Sequence, residues 1–243
     1  MVAGTETMNL SKDLLLKSLR AVLFGEKLDV SDFAEADWKS IFQLADEQTV
    51  SALLLDGMSL LPFECIAIPL GDKLKRIATM QSIEQINRLH RKVIVKIDQA
   101  LNSEGIPVVF MKGQTTALRY PNPLHRTPGD IDFVVNPKDF KKTMEVLEKI
   151  GKVDHDLVHE HHGMAWVDGV TVEPHYKVHN YQCPSTDHAM QEMFASVFPS
   201  ELFSADMNGY AVPVFPPTFE SVFLISHMVN HVYEEGLVEI NGF

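Results

Sequence analysis

The stretch that decides the fold covers residues 108–135 and reads VVFMKGQTTALRYPNPLHRTPGDIDFVV. It opens with a short apolar run that follows Gly105, and it closes with a second apolar run at residues 131–135. Short apolar runs bounded by glycine and proline predict two buried strands. Between them, residues 114–120 predict a short helix that is stopped by Pro121 and Pro123.

Two aspartates flank Ile131 at the start of the second predicted strand. Side chains alternate along a strand, so Asp130 and Asp132 face the same side with Cα atoms roughly 6 to 7 Å apart. Such a pair suits hard cations, and Mg²⁺ prefers carboxylates together with substrate phosphates and retained waters. Two ions about 4 Å apart can activate an attacking oxygen and stabilise a leaving pyrophosphate. The preceding Gly129 has no Cβ and would let a substrate phosphate approach closely.

An isolated Asp-x-Asp pair is more often a solvated strand end, so the neighbouring residues decide its interpretation. Lys112-Gly113 follows the first predicted strand and precedes the predicted helix, where backbone N–H groups can cradle a phosphate. Arg126 lies four residues before Asp130 and is placed to meet an anionic group. Glu173 ends a third apolar run, at residues 170–172, and can supply another carboxylate. The simpler alternatives are a surface role for Lys112 and an ion pair for Arg126.

Histidines are concentrated near the third predicted strand. His175 lies two positions beyond Glu173 and shares its strand face if the intervening proline does not break the strand. We expect it to orient Glu173 or to contact substrate, with a structural role as the equal alternative. A second group crowds into eight residues and suits a transition-metal site, although a polar segment before a strand is the simpler interpretation. Its members are His155, His159, His161 and His162.

Together these residues resemble the DNA polymerase β-type nucleotidyltransferase superfamily. The order Lys-Gly, Tyr-Pro and Arg-x-x-Gly-Asp-Ile-Asp is similar to the core of the uncharacterised nucleotidyltransferase-like family of bacteria. The resemblance implies an α+β fold with a polymerase β-type core, in which a small mixed sheet is flanked by helices. It also implies a helical N-terminal region and a helical tail. Further similar segments are Asp37-Trp38, Leu44-Ala45, Val172-Glu173-Pro174-His175 and residues 223–231.

The resemblance implies a transferase that uses Mg²⁺, or Mn²⁺ in its place. It would move a nucleotidyl group from a nucleoside triphosphate to a hydroxyl acceptor of unspecified class and release pyrophosphate. Two ions held by Asp130 and Asp132 would do the charge neutralisation, while Glu173 would help to hold and polarise the acceptor side. The catalytic and metal-binding set is therefore predicted as Asp130, Asp132 and Glu173. The substrate-binding set is predicted as Lys112, Gly113, Gln114, Thr115, Arg126, Gly129 and His175.

The sequence leaves two other functions open. One is a non-catalytic protein that keeps the nucleotidyltransferase fold and acts as a regulatory or complex-forming partner, as in toxin–antitoxin pairs. It is favoured by Gln114, where the superfamily commonly has serine, and by an end at Phe243, where similar proteins continue with more helices. The other is a nucleotidyltransferase that acts on RNA ends. The formal net charge of −12 argues against a large nucleic-acid substrate, because phosphate backbones bind basic surfaces.

The remaining pattern concerns the organisation of the chain and its compartment. We predict a helical N-terminal region at residues 1–104 and an α/β core with C-terminal helices at residues 105–243. Residues 70–102 contain no proline and keep an apolar stripe, which predicts one long helix. Asp168-Gly169 joins two short apolar runs and predicts a hairpin turn. Two cysteines without a disulfide or zinc spacing, no signal-peptide pattern and no membrane-spanning apolar stretch predict a cytoplasmic protein.

Overall fold

The computed structural model describes residues 2–156, 162–178, 181 and 183–234. The chain forms two compact units. The first unit comprises residues 1–87 and 117–127, and the second comprises residues 88–116 and 128–243. The sequence predicts a domain boundary between residues 104 and 105, and this boundary stays a prediction.

The first unit is built from helices whose ends follow local sequence signals. Helix α1 ends just before Gly25, which takes a left-handed conformation with a φ of 69°. The carboxylate of Asp37 caps α2 by accepting a hydrogen bond from the backbone N–H of Ser40. Buried apolar residues of all three early helices pack together, among them Leu14, Ile41 and Leu54. These helices are α1 (Val2–Phe24), α2 (Trp38–Glu47) and α3 (Ser51–Ser59).

Helix α4 (Leu70–Ser103) is the long helix that the proline-free stretch predicts, and it contains 34 residues. The boundary between the two units falls inside it, after Asn87. Among the residues that the structure describes, no helix is both long and apolar enough to cross a membrane.

The second unit contains a mixed sheet of seven strands in the order β3-β4-β5-β2-β1-β7-β6. Strand β2 pairs antiparallel with β1 and parallel with β5, and β1 also pairs parallel with β7. The strands are β1 (Val108–Met111), β2 (Ile131–Val135), β3 (Lys152–Asp154), β4 (Met164–Val167), β5 (Val170–His175), β6 (Phe203–Asp206) and β7 (Ala211–Val214). The helices of this unit, apart from its share of α4, are α5 (Gly113–Ala117), α6 (Phe140–Ile150), α7 (Pro184–Val197) and α8 (Pro217–Glu234).

The central strands explain why the sequence contains continuous apolar runs. Every residue of β1 and β2 is buried, as expected for strands that are covered on both faces. Val109 and Val134 belong to a core cluster with aromatic residues of α7 and α8, including Phe194 and Phe223. The two central strands are therefore fixed by apolar packing as well as by pairing with their neighbours.

The structure confirms some of the local predictions and corrects others. The β4–β5 hairpin forms at the predicted turn, where Asp168 and Gly169 both have positive φ, at 52° and 83°. The helix predicted at residues 114–120 is wrong in its bounds: α5 ends at Ala117, because Tyr120 precedes Pro121 and is disfavoured in a helix. Strand β3 is absent from the sequence-based prediction, since three residues are too few to show a period.

Gly151 generates a test of the packing at the edge of the sheet. A Cβ added there would overlap the carbonyl oxygen of Trp166, so Gly151→Ala must displace the backbone of β4. Overpacking of this kind typically costs about 1–3 kcal/mol of the free energy of unfolding, and we expect a loss in that range in urea denaturation.

Gly71→Ala is the matched control, because Gly71 is helical and a Cβ there has no atom within 4 Å. Gly71 lies in the first turn of α4, where an added Cβ meets no atom, so this variant should be no less stable than the wild type. Equal stability of the two variants would contradict the observed packing.

Candidate active site

Three carboxylates from two neighbouring strands of the second unit converge at one point. Asp132 in β2 pairs in parallel register with Glu173 in β5, and Asp130 directly precedes β2. One oxygen atom from each of the three carboxylates lies within 4.8 Å of the other two. An all-oxygen, carboxylate-rich donor set fits Mg²⁺ or Mn²⁺ better than a soft metal. The predicted catalytic set is therefore brought together, and its role stays a prediction.

Two donors hold the same oxygen atom of Asp132. The ammonium Nζ of Lys112 lies 2.9 Å from Asp132 Oδ1, and Nε2 of His175 lies 3.0 Å from that oxygen. The Asp132 side chain is only 3% exposed. Burial lowers the pKa of His175, so its neutral ring donates a hydrogen bond to the carboxylate. His175 thus contacts Asp132 more closely than Glu173, whose Oε2 lies 3.8 Å from the same ring nitrogen.

The ion pair decides the charge of both of its partners. Burial alone would raise the pKa of Asp132, but the charge of Lys112 and the hydrogen bond from His175 outweigh it and hold that pKa well below the usual range. Burial also opposes the charge of Lys112, yet the neighbouring carboxylates, Asp132 first, raise its pKa above the ordinary value. Asp132 is therefore an anion and Lys112 a cation at neutral pH.

Glu173 and Asp130 behave differently from Asp132. Burial, followed by the charges of Asp132 and Asp130, raises the pKa of Glu173 to about 8. Burial and the charge of Asp132 also raise the pKa of Asp130. In the absence of a cation, Glu173 therefore carries a proton at neutral pH, because three adjacent carboxylates repel one another when all are ionised. A metal ligand must be deprotonated, so a cation that binds here would displace this proton.

The two predicted substrate-binding glycines lie close to the carboxylates. Gly113 has a φ of 27° and packs against the backbone, since an added Cβ would lie 3.3 Å from the carbonyl oxygen of Asp130. A Cβ on Gly129 would meet no atom within 4 Å, and the residue is exposed. The positive φ of Gly113 and its close approach to the backbone explain why a glycine stands there. Gly129 instead leaves open space beside Asp130.

Gln114 and Thr115 are buried in α5 and make contacts within the protein. The Thr115 hydroxyl lies 2.8 Å from Glu220 Oε1 and 2.7 Å from the carbonyl oxygen of Lys112. Gln114 Oε1 accepts a weak hydrogen bond of 3.4 Å from Nε of Arg91. Their predicted contact with a triphosphate stays a prediction. Glu220 is a residue that the sequence reasoning missed, although an acidic residue in the first turn of a helix was an available signal.

Arg126 belongs to the first unit. Its Nη1 donates a 3.2 Å hydrogen bond to the carbonyl oxygen of Thr127, and its own carbonyl oxygen accepts a 2.8 Å bond from the Asn87 side chain. These two hydrogen bonds hold the backbone at residues 126 and 127, which precede β2 in the chain. The predicted role of Arg126 in binding an anion stays a prediction.

One member of the histidine cluster lies beside the carboxylates. His162 forms an antiparallel bridge with His175, and the ring centroids are 5.0 Å apart. Its Nε2 lies 3.7 Å from Glu173 Oε2, which is beyond hydrogen-bonding distance. His155 instead pairs with an exposed glutamate at 3.3 Å, and both side chains are more than half exposed. His159 and His161 lie outside the described residues, so the four-histidine metal site stays a prediction.

Comparison with known proteins identifies a matching family. The sequence model of a family described as "Uncharacterised nucleotidyltransferase" matches residues 34–241, which include every residue of the candidate site. With the mixed sheet and its flanking helices, this match confirms the fold class that the sequence predicts. No curated protein matches the chain.

A solved structure of a Thermotoga maritima protein, described as a "putative nucleotidyltransferase", is similar to 60% of this chain and 89% of its own. The identity is 17% and the TM-score is 0.43. Such values carry no functional argument, so the family assignment rests on the sequence match.

The raised pKa of Glu173 gives a pH prediction for the protein freed of metal with a chelator. The carboxyl holds its proton up to about pH 8 when folded and up to about pH 4.5 when unfolded. Between those values the folded state binds more protons than the unfolded state, so a rise in pH lowers the free energy of unfolding. We expect the melting temperature to fall between about pH 5 and pH 8, and less steeply in Glu173→Gln.

Glu145→Gln is the control for this experiment, since Glu145 is an exposed glutamate of α6 in the same unit. It should reproduce the pH dependence of the wild type. A Glu173→Gln profile that also coincides with the wild type would show that Glu173 holds no extra proton.

Proposed function

The chain belongs to the family of uncharacterised nucleotidyltransferases, and on this premise we propose that it moves a nucleotidyl group from a nucleoside triphosphate to a hydroxyl acceptor. We further propose that the reaction depends on Mg²⁺, or on Mn²⁺ in its place. The observation that carries the proposal is the convergence of Asp130, Asp132 and Glu173 within 4.8 Å of one another.

The donor set fits this chemistry because all three ligands are carboxylates: Asp132 and Glu173 lie on a rigid pair of strands, and Asp130 directly precedes one of them. Asp130, Asp132 and Glu173 would hold the ion. A divalent cation bound there supplies charge neutralisation for the phosphates and the leaving pyrophosphate. The carboxylates keep their spacing because Asp132 and Glu173 are register partners in a buried part of the sheet.

The remaining residues would position these ligands and admit the substrate. His175 and Lys112 fix the orientation of Asp132 through its Oδ1 atom. Open space at Gly129 leaves room for a phosphate beside Asp130, since no side chain projects there. Glu173 is partly exposed and would face the acceptor side. The chemistry of the acceptor pocket then decides which hydroxyl compound is modified.

The proposal is tested by thermal stability with each of the four nucleoside triphosphates, in Mg²⁺ or in chelator. A ligand of the folded state at 100 times its Kd stabilises by about 2.7 kcal/mol, so a cognate nucleotide should raise the melting temperature only with Mg²⁺. Asp132→Asn should abolish this shift and lower the transfer rate on the order of a hundredfold or more, as loss of transition-state stabilisation would.

Asp168→Asn is the matched control, because Asp168 is exposed in a hairpin turn of the same unit and asparagine accepts its positive φ. This variant should keep the full shift and the full rate. Wild-type activity in Asp132→Asn would refute the assignment. A magnesium-dependent shift without turnover on any acceptor would favour the non-catalytic partner, and salt-sensitive RNA binding would favour an RNA-end transferase.

A further inference from the structure

A second group of metal-ligating side chains adjoins the three carboxylates and shares one residue with them. One donor atom from each of His162, Glu173 and His175 lies within 4.8 Å of the other two. Oε2 of Glu173 lies 3.7 Å from Nε2 of His162 and 3.8 Å from Nε2 of His175. Both separations are too long for hydrogen bonds. The carboxylate oxygen therefore stands between two imidazole nitrogens at a distance that leaves room for an ion.

The spacing of these atoms is close to that of the ligands of one zinc ion. Zinc binds imidazole nitrogen and carboxylate oxygen at about 2.0–2.2 Å in a tetrahedral arrangement, which places neighbouring ligand atoms roughly 3.4 Å apart. The two separations from Glu173 exceed this value by only about 0.3 and 0.4 Å. The side chains of His162 and Glu173 are 12% and 20% exposed, so they can rotate enough to close the difference.

The backbone holds the two imidazoles side by side. His162 forms an antiparallel bridge with His175, and the ring centroids are 5.0 Å apart. The backbone N–H of Gly163 donates a 3.0 Å hydrogen bond to the carbonyl oxygen of Pro174 beside this bridge. Glu173 lies two positions before His175 in β5, so the two side chains share one face of the strand. Ligands on paired backbone segments keep their geometry better than ligands on separate loops.

The donor types favour a transition-metal ion over Mg²⁺. Imidazole nitrogen suits Zn²⁺, whereas Mg²⁺ prefers oxygen ligands. Two histidines and one glutamate, with water in the fourth position, are a ligand set of catalytic zinc ions. The group of Asp130, Asp132 and Glu173 is made of oxygen donors alone. The second unit therefore contains two adjoining ligand sets of different chemical character, and Glu173 belongs to both.

An ion bound to the two histidines would change the surroundings of Asp132. Nε2 of His175 donates a 3.0 Å hydrogen bond to Asp132 Oδ1, and a metal on Nε2 takes the place of that proton. The neutral ring then carries its proton on Nδ1. Asp132 would lose one of the two donors that hold Oδ1, and Oε2 of Glu173 would turn toward the histidines. Both changes disturb the carboxylates that the proposed function assigns to Mg²⁺.

We propose that His162, Glu173 and His175 form a binding site for Zn²⁺, and that Zn²⁺ bound there opposes the magnesium-dependent binding of the nucleotide. The first part stands by itself, and the second part rests on the proposed function. The proposal gives His162 a role as a metal ligand. His155, from the same histidine cluster of the sequence, has no part in the site, because its ring contacts the exposed Glu148.

The zinc site is tested by isothermal titration calorimetry with Zn²⁺ on the metal-free wild-type chain, without Mg²⁺ or nucleotide. We expect binding that depends on His162. Loss of a residue that only supports a metal ligand costs about 10–100-fold in affinity, so His162→Gln, which removes a ligand, should bind Zn²⁺ at least about tenfold more weakly. In a parallel titration, Co²⁺ should give the visible absorption of a tetrahedral ion in the wild type, and this absorption should be lost in His162→Gln.

His155→Gln is the matched control, since His155 and its partner Glu148 are both more than half exposed. It should bind Zn²⁺ as the wild type does. Absence of Zn²⁺ binding to the wild type would overturn the inference without any variant. Wild-type affinity in His162→Gln, or an equal loss of affinity in His155→Gln, would also overturn it. The proposed function would stand in each of these cases.

The opposition between the two metals is tested by the rise in melting temperature that a nucleoside triphosphate causes in Mg²⁺. Zn²⁺ at a concentration that fills the site should reduce this rise in the wild type and in His155→Gln, and should reduce it less in His162→Gln. Nucleotides bind Zn²⁺ themselves, so the three proteins are compared at the same total concentrations.

An undiminished rise in the wild type, or an equal reduction in His162→Gln, would overturn the second part of the proposal. If no nucleotide raises the melting temperature of the wild type in Mg²⁺ alone, the proposed function fails and the second part falls with it. The calorimetric titration decides the zinc site in either case.

Discussion

The buried ion pair between Lys112 and Asp132 is the interaction on which the candidate site depends. A carboxylate that is 3% exposed cannot stay ionised without a partner, because burial strongly disfavours an isolated charge. With Lys112 at 2.9 Å, Asp132 is an anion, and its charge adds to burial, the larger cause, in raising the pKa values of Glu173 and Asp130. Burial and the charge of this pair together determine the protonation of the three carboxylates. Breaking a buried pair also leaves an uncompensated charge, so the two residues depend on each other.

Strand pairing sets the relative positions of the residues that take part in this interaction. Strand β2 lies between β1, which leads to Lys112, and β5, which carries Glu173 and His175. A slip of one residue in either pairing would turn Asp132 to the other face of the sheet. A slip would also separate Asp132 from Lys112 and His175 and leave a buried carboxylate without these donors, which is costly. The core of the second unit therefore positions the carboxylates, and the ion pair keeps Asp132 charged.

The sequence predicts the elements that carry strong local signals. The central strands, the long helix α4 and the β4–β5 turn follow from continuous apolar runs, an uninterrupted apolar stripe and an Asp-Gly pair. Strand β3 is too short to show a pattern. The grouping of Asp130, Asp132 and Glu173 follows from alternation along strands together with the family resemblance. The partner of Lys112 could not be predicted, because its contact depends on a left-handed backbone and on strand order. The sequence places His175 near Glu173, but its hydrogen bond to Asp132 depends on the pairing of β5 with β2 and could not be predicted either.

The most direct test of the central claim is a crystal structure of the protein with Mn²⁺ and a non-hydrolysable nucleoside triphosphate, with anomalous scattering used to locate the metal. We expect an anomalous peak among the carboxylates of Asp130, Asp132 and Glu173, with the triphosphate bound to the same ion. An absence of anomalous density at these carboxylates, with the metal and nucleotide bound elsewhere or not at all, would contradict the assignment of this site.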